Sequence, residues 1–160
     1  MTQSIRQRLL EKTLRTMREE LHAVELSAAS AKDEATHSEA KQEGKYDTRA
    51  IQASYLAGAQ EERAKILKFN ILQIENLSKG SYTPTKDVVS AASVVTLEAN
   101  NANKKYFILL PCTPGLEIEI DGLVFTTLTP QSSLGAKIHK KEIGESLTHS
   151  GNEYTVVEIF

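Results

Sequence analysis

The sequence predicts an α+β protein in which an N-terminal antiparallel α-helical coiled-coil hairpin is followed by a small β-rich domain. Composition changes sharply across residues 78–85: no Pro and only two of the eight Gly precede this stretch, whereas most of the Val, Thr and Phe follow it. Apolar residues recur with a heptad period in two segments of the first half. In the second half, apolar and polar residues alternate as they do in strands with one wet face. We therefore divide the chain into a hairpin, residues 1–78, and a globular domain, residues 79–160.

The hairpin is predicted from two heptad seams that match in length and in side-chain size. The first seam is Leu10, Leu14, Met17, Leu21, Val24, Ala28, Ala31 and Ala35, and the second is Ala50, Ala53, Ala57, Gln60, Ala64, Leu67, Ile71 and Ile74. If the seams pair antiparallel, facing residue numbers sum to 84 or 85, which centres the turn on residues 42–43, beside Gly44. Large side chains then face each other at the base, Ala faces Ala near the turn, and each arm is about 50 Å long.

The alternative to an internal hairpin is a dimerisation coiled coil. Against it, the two seams satisfy each other within one chain, so we expect a monomer. Gln60 interrupts the second seam and is the kind of polar residue that fixes the register of paired helices.

The second half is expected to form strands joined by tight turns. Asp121-Gly122 between apolar stretches is a hairpin turn signal. Ser132 and Ser133 can cap a short helix that runs to about Ile138. The expected strands are Val88–Ala99, Lys104–Cys112, Leu116–Thr127 and Glu153–Phe160.

Charge and composition exclude several classes of protein. The net charge is −2 and neither half has a positive excess, so contact with DNA or RNA is expected to be local or indirect. No apolar run is long enough to span a bilayer, and the N-terminus does not have the pattern of a signal peptide. Cys112, the single cysteine, excludes an internal disulfide, fits a reducing cytoplasm and is expected to be buried. The four His residues are scattered without the spacing of metal ligands.

Two motifs and the last strand resemble one known family. Residues 128–138 read Leu-Thr-Pro-Gln-Ser-Ser-Leu-Gly-Ala-Lys-Ile, residues 140–145 read Lys-Lys-Glu-Ile-Gly-Glu, and the chain finishes Tyr-Thr-Val-Val-Glu-Ile-Phe. These stretches resemble the C-terminal domain of the bacterial Gre transcript-cleavage factors, GreA and GreB. Ser133 stands where that family has Pro, His139 where it usually has Gly, and Glu145 where it has Asp. The family's order, a long hairpin and then an FKBP-like β domain, covers nearly the whole chain.

The resemblance implies an accessory factor that is not itself an enzyme. Such proteins dock on RNA polymerase at the rim of its secondary channel and pass the hairpin toward the catalytic centre. Two acidic residues at the tip help the polymerase to hold a second Mg²⁺ and a water while it cleaves backtracked RNA, a task that suits carboxylate oxygens. No permanently bound metal or cofactor is implied beyond this shared Mg²⁺, and contact with the nascent RNA would be indirect.

The tip departs from the family pattern, which reads about Gly-Asp-Leu-x-Glu-Asn-x-Glu-Tyr. Aligning Gly44 with the family glycine puts the acidic pair on Lys45 and Thr48, whereas a shifted alignment lets residues on either side of the turn replace it. Asp47 is equally well placed as the N-cap of the second helix. The candidates are Glu43, Asp47 and Glu39 for assisting the polymerase Mg²⁺, and Lys45, Tyr46 and Arg49 for binding the partner.

Two alternatives stay open at this point. The altered tip is compatible with a regulator that occupies the channel and inhibits or modulates the polymerase without cleavage. A different class is an FKBP-like prolyl isomerase or a chaperone, which needs an aromatic-lined pocket. The aromatic residues of the second half are better explained as core: Tyr106, Phe107, Phe125, Tyr154 and Phe160.

Overall fold

The computed structural model describes residues 4–40, 48–79 and 84–160, with the side chains of residues 38–40 outside that description. It confirms the predicted fold class, because two long α-helices are followed by a six-stranded mixed sheet. The chain forms two compact units, Arg15–Ile71 and Met1–Leu14 with Leu72–Phe160. These units divide within both helices, and the boundary between residues 78 and 79 stays a prediction.

The first helix, α1, spans Ile5–Ala40 and begins with a capping box. The Ser4 hydroxyl accepts a hydrogen bond from the Gln7 N–H at 3.2 Å, and the Gln7 side-chain oxygen accepts one from the Ser4 N–H at 3.2 Å. Two N–H groups that the helix leaves unpaired are satisfied in this way. The spacing Ser-x-x-Gln in the sequence is the signal for this cap.

The second helix, α2, spans Thr48–Lys79 and packs against α1 through the predicted seams. All seam residues except Leu21 and Gln60 are buried. Large side chains lie toward the helix ends at residues 5 and 79, and alanines lie toward residues 40 and 48. Within the unit Arg15–Ile71, ion pairs cross between the helices from Glu20 to Arg63 at 2.5 Å and from Glu25 to Lys68 at 2.7 Å.

The register of the hairpin differs from the prediction by about one helical turn. A cluster of Leu21, Val24, Ala64 and Leu67 is centred at position 22.5 on α1 and 65.5 on α2, so facing residue numbers sum to 88 rather than 84. The two cross-helix ion pairs have the same centre: their glutamates, Glu20 and Glu25, average to position 22.5 on α1, and their basic partners, at 63 and 68, average to position 65.5 on α2. The predicted turn residues, 42–43, lie outside the described residues. A shift of one turn still places seam opposite seam, so the heptad pattern alone fits both registers.

The sheet has the strand order β3-β4-β2-β1-β6-β5, with β2 and β4 parallel and all other neighbours antiparallel. Its strands are β1 Val94–Ala99, β2 Lys104–Leu109, β3 Glu117–Ile120, β4 Leu123–Leu128, β5 Ser146–His149 and β6 Asn152–Ile159.

Three strand predictions need correction and one strand escaped prediction. The first strand begins at Val94 rather than Val88, because Ala92 takes a positive φ of 60° and turns the chain. The second ends at Leu109, before Pro111. The predicted strand 116–127 is two strands, β3 and β4, joined by the expected turn. The sequence analysis did not find β5, which is short and carries only one buried side chain.

The turn between β3 and β4 is fastened to the beginning of α1. Asp121 and Gly122 have φ values of 53° and 78°, as a two-residue hairpin turn requires. Both Asp121 carboxylate oxygens accept hydrogen bonds from the Arg8 guanidinium at 2.7 Å, and Lys12 donates to the Glu119 carbonyl at 2.6 Å. The bond from Arg8 holds the pKa of Asp121 below its ordinary value, and Asp121 in turn raises the pKa of Arg8.

One face of the sheet carries the core of its unit. A third helix, α3, spans Gly135–Ile138 and buries Ile138 against this face. One cluster of the core, on this face, consists of Val89, Val95, Leu97, Phe107, Leu109, Leu128, Ile138, Leu147, Tyr154, Val156 and Ile159. The aromatic residues thus serve mainly as core, with Phe125 buried on the other face beside Tyr106 at a centroid distance of 5.4 Å.

Candidate functional site: the helical hairpin and its outer face

The predicted tip residues fall mostly outside the described part of the chain. Glu43, Lys45, Tyr46 and Asp47 lie within residues 41–47, for which the structure gives no description. Glu39 belongs to the last turn of α1 by its backbone alone. Their assignment to Mg²⁺ and to partner binding stays a prediction.

Arg49 is the one tip candidate whose side chain is described. It lies in the first turn of α2 and is exposed. A cation in the first turn does not gain from the helix dipole, which favours negative charge there. The Arg49 charge is therefore not placed to stabilise α2 through the helix dipole. Its position is compatible with the predicted role in partner binding.

The outer face of α2 carries an apolar stripe that the sequence analysis did not identify. Of the five large apolar side chains of α2 that are more than half exposed, four lie on this face, and the fifth is Leu72 at 57%. The four are Tyr55 at 78%, Phe69 at 63%, Ile66 at 54% and Ile51 at 52%. At about 100° per residue, these four positions fall within about 60° of one another around the helix axis. We call these four residues the outer stripe.

The outer stripe lies on the side of α2 opposite the seam. The buried seam residues of α2 centre about 180° from it by the same helical geometry. Its members are spaced 4, 11 and 3 residues apart, and the gap in the middle contains Gly58 and Glu62. The signal was present in the sequence, but a helix with two apolar faces gives no single strong period, and the regular seam obscured it.

Two apolar faces on one helix have a physical consequence. A surface helix normally buries one stripe and leaves the opposite face polar. Here the seam is already filled by α1, so the aromatic rings of the outer stripe remain in water. Exposed apolar groups that line up in this way mark a surface that meets another molecule.

The motifs that carry the family resemblance have structural roles in the sheet unit. Ser132 accepts a hydrogen bond from the Gly135 N–H at 3.0 Å and donates one to the Thr129 carbonyl at 2.7 Å. It thus satisfies the first N–H of α3, although the N-cap position itself is Leu134, which has no side-chain cap. A Cβ added at Gly135 would overlap the Thr129 carbonyl oxygen, so this turn requires glycine. Ser133 makes no recorded hydrogen bond within the described residues.

Glu145 closes the second motif. Its carboxylate accepts hydrogen bonds from Lys141 at 2.9 Å and from the Glu142 N–H at 2.7 Å. The bond from Lys141, followed by that from Glu142, lowers the pKa of Glu145. A carboxylate is needed here, and Glu145 provides it where the family has Asp.

Cys112 is buried, as expected, and burial raises the pKa of its thiol. The Thr113 hydroxyl donates to its sulfur at 3.6 Å and opposes this shift. A thiol that resists ionisation is a poor nucleophile.

Residues 4–37, 48–79 and 84–160 contain no group of three or more His, Cys, Asp or Glu side chains that could hold a metal ion. Over the described chain, neither long helix is apolar enough to cross a membrane.

Comparisons with known proteins give structural likenesses only. No protein-family model matches the chain, and no curated protein does. The chain is similar along nearly its full length to the GreA factor homolog 1 (Gfh1) of Thermus thermophilus, with 17% identity, 96% and 94% of the two chains covered, and a TM-score of 0.36. Thermus aquaticus Gfh1 gives 21% identity, 95% and 92% coverage and the same TM-score. A third structure, of the transcription factor Gfh1, gives 18% identity, 96% and 92% coverage and 0.36.

These likenesses are to proteins of the kind that the sequence motifs resemble. A TM-score of 0.36 is too low to carry an argument about fold or function. None of the comparisons supports direct binding to DNA. What the chain binds is therefore inferred from its own residues.

Proposed function

We propose that this chain is a Gre-like transcription elongation factor that binds RNA polymerase and inserts its hairpin into the secondary channel. The observation that carries the proposal is the two-sided apolar character of α2. One side seals the hairpin within a single chain, and the outer stripe is left for a partner. The C-terminal motifs, which resemble those of GreA and GreB, support RNA polymerase as that partner.

The alternative of a coiled coil that only dimerises is less well supported. Its two seams are occupied by each other, so the pairing that a dimer would use is already made within one chain. A hairpin that served only as a spacer between two domains would not need aromatic side chains exposed to water. A hairpin that enters a protein channel accounts for both features.

Binding is tested by capture of RNA polymerase with the full chain and with the double variant Tyr55→Ser/Phe69→Ser. Burying an aromatic side chain contributes roughly 1.5–3 kcal/mol, so loss of both should weaken binding at least about a hundredfold. The matched control is Gln52→Ser/Glu61→Ser, which changes two exposed hydrophilic residues of the same helix to the same amino acid.

Both variants should keep the helix content of the wild type in circular dichroism. Equal capture of the stripe variant and the wild type would remove the role of the outer stripe. No capture of polymerase by the wild type would remove the proposed function itself.

The proposal has two versions, which differ at the tip. In the first, Glu43 and Asp47, with Glu39, assist the Mg²⁺ of the polymerase, which then cleaves backtracked RNA; Lys45, Tyr46 and Arg49 contact the partner. In the second, the factor occupies the channel and regulates the polymerase without cleavage. The altered acidic pattern of the tip is the reason to keep both.

Backtracked transcription complexes separate the two versions. If the wild type shortens the RNA and Glu43→Ala/Asp47→Ala binds but does not, the tip carboxylates assist cleavage. If the wild type binds and leaves the RNA intact, the factor is a channel regulator.

A further inference from the structure

The sheet unit also contains a groove, and the C-terminal motifs contribute Leu134 and Tyr154 to its lining. Two adjoining cavities of about 510 and 410 Å³ share Lys105, Asn152 and Tyr154 as lining residues. We call the two together the Lys105 groove. The first cavity has an accessible apolar part formed by Val124 and Leu134, and the second is lined by Asn100, Asn101 and Asn103.

Lys105 occupies the middle of this groove because of the strand order. It lies on β2 opposite Leu97 of β1, while Tyr154 lies on β6 opposite Ala99 of β1. Since β1 separates β2 from β6, the Lys105 side chain reaches across β1 to the tyrosine. Its ammonium donates to the Tyr154 hydroxyl at 3.3 Å and lies 5.5 Å from the ring centroid.

The Lys105 ammonium has no recorded carboxylate partner among residues 4–37, 48–79 and 84–160. Tyr154 is only 7% exposed, so it is a fixed support for the lysine. A cation held over an aromatic ring and open to solvent is a pre-positioned anion-binding group.

The remaining charges of the groove limit what this anion can be. Glu117 lines the first cavity and Glu153 the second, so a carboxylate flanks Lys105 in each. Glu153 accepts a hydrogen bond from Asn100 at 3.3 Å. Lys104 lines the first cavity but also pairs with Glu98 at 3.9 Å. His149 is a further lining residue of the first cavity. Such a balanced lining lacks the positive excess that attracts a polyanion such as nucleic acid and suits a single negative charge.

The asparagines indicate the chemistry of the rest of the ligand. Side-chain amides both donate and accept hydrogen bonds, as a polypeptide backbone does. An apolar surface beside them accepts an apolar side chain, and volumes of this size suit a short segment.

We propose that the Lys105 groove binds an extended peptide segment of a partner protein that presents one carboxylate to Lys105. Basic or neutral residues flank this carboxylate, opposite Glu117 and Glu153, and an apolar side chain lies against Val124 and Leu134. The proposal does not depend on binding of the hairpin to RNA polymerase.

The test is an NMR titration of the full chain with the acetylated and amidated pentapeptide Lys-Leu-Glu-Leu-Lys. The control peptide has Gln in place of Glu. We expect saturable shifts at the amides of Lys105, Asn152 and Tyr154, and binding at least about tenfold weaker for the Gln peptide, because a hydrogen bond to a charged group is lost.

The variant Lys105→Met should weaken binding of the Glu peptide by the same factor. Lys86→Met, an exposed lysine of the same unit that does not line the groove, should bind as the wild type does. Undisturbed amide spectra of both variants show that they fold.

Three results would overturn the proposal: no shifts in the groove with the Glu peptide at millimolar concentration, equal binding of the two peptides, or equal binding by Lys105→Met. Saturation of the same amides by a ten-nucleotide oligo-dT would also overturn it, since the charge balance excludes a polyanion.

Discussion

Replacing Gly135 by Ala should destabilise the sheet unit, although Ala is the better residue for a helix. A Cβ at position 135 would overlap the Thr129 carbonyl and lie 2.6 Å from the Ser132 hydroxyl. Overpacking of this kind costs about 1–3 kcal/mol, and the overlap with backbone places it at the upper end. Losing the bond from the Gly135 N–H to Ser132 adds about 1 kcal/mol. Alanine lowers the conformational entropy of the unfolded chain relative to glycine, and this offsets about 0.4–1 kcal/mol of the destabilisation.

The net expectation is a loss of about 3–4 kcal/mol in the free energy of unfolding. The assay is a urea titration followed by NMR at the amides of β5 and β6, which report on this unit alone. Gly58→Ala, followed at the amides of α2, is the matched control: a Cβ there meets nothing within 4 Å, so the same substitution should stabilise α2 by up to about 1 kcal/mol. Wild-type stability of Gly135→Ala, or a gain, would refute the close approach to Thr129.

Two further predictions concern the base and the register of the hairpin. In the wild type, the Asp121 carboxyl should titrate below its ordinary pKa, and in Arg8→Gln it should return toward that value in an NMR pH titration. Because the pKa of Asp121 is lowered in the folded state, its contact with Arg8 stabilises the protein at pH values above the unfolded pKa of about 3.9. This stabilisation is lost as the pH falls through the folded pKa. Equal acid unfolding of the wild type and the variant would contradict it. For the register, Ala31→Cys/Ala57→Cys, whose numbers sum to 88, should form a disulfide faster than Ala31→Cys/Ala53→Cys, whose numbers sum to 84, with the native cysteine replaced by serine. Preferential crosslinking of the second pair would restore the register predicted from sequence.

Local chemistry made much of the sheet unit predictable, and long-range contacts account for what was missed. The Asp121-Gly122 turn and the cap at Ser132 follow from side-chain and backbone preferences that act over a few residues. The late start of β1 escaped because the positive φ of Ala92 has no sequence signal, alanine being a residue that rarely adopts it.

The candidate site was predicted in part. The sequence identified the hairpin and placed Arg49 at its distal end, whereas the remaining tip residues stay predictions. It did not identify the outer stripe, because an exposed Phe69 and a buried Leu67 look equally apolar in the sequence. It also gave no sign of the Lys105 groove, since Lys105 and Tyr154 meet only across an intervening strand.

The sequence by itself determined that two helices pair through heptad seams and that a β-rich unit follows them. These properties depend on periods of a few residues, which the chain carries locally. Only the tertiary structure decided which turn of α1 faces which turn of α2, because slides by one turn preserve the seam and packing alone distinguishes them. The same holds for the two faces of α2: the chain made both apolar, and the packing of α1 decided which one is buried and which is left for a partner.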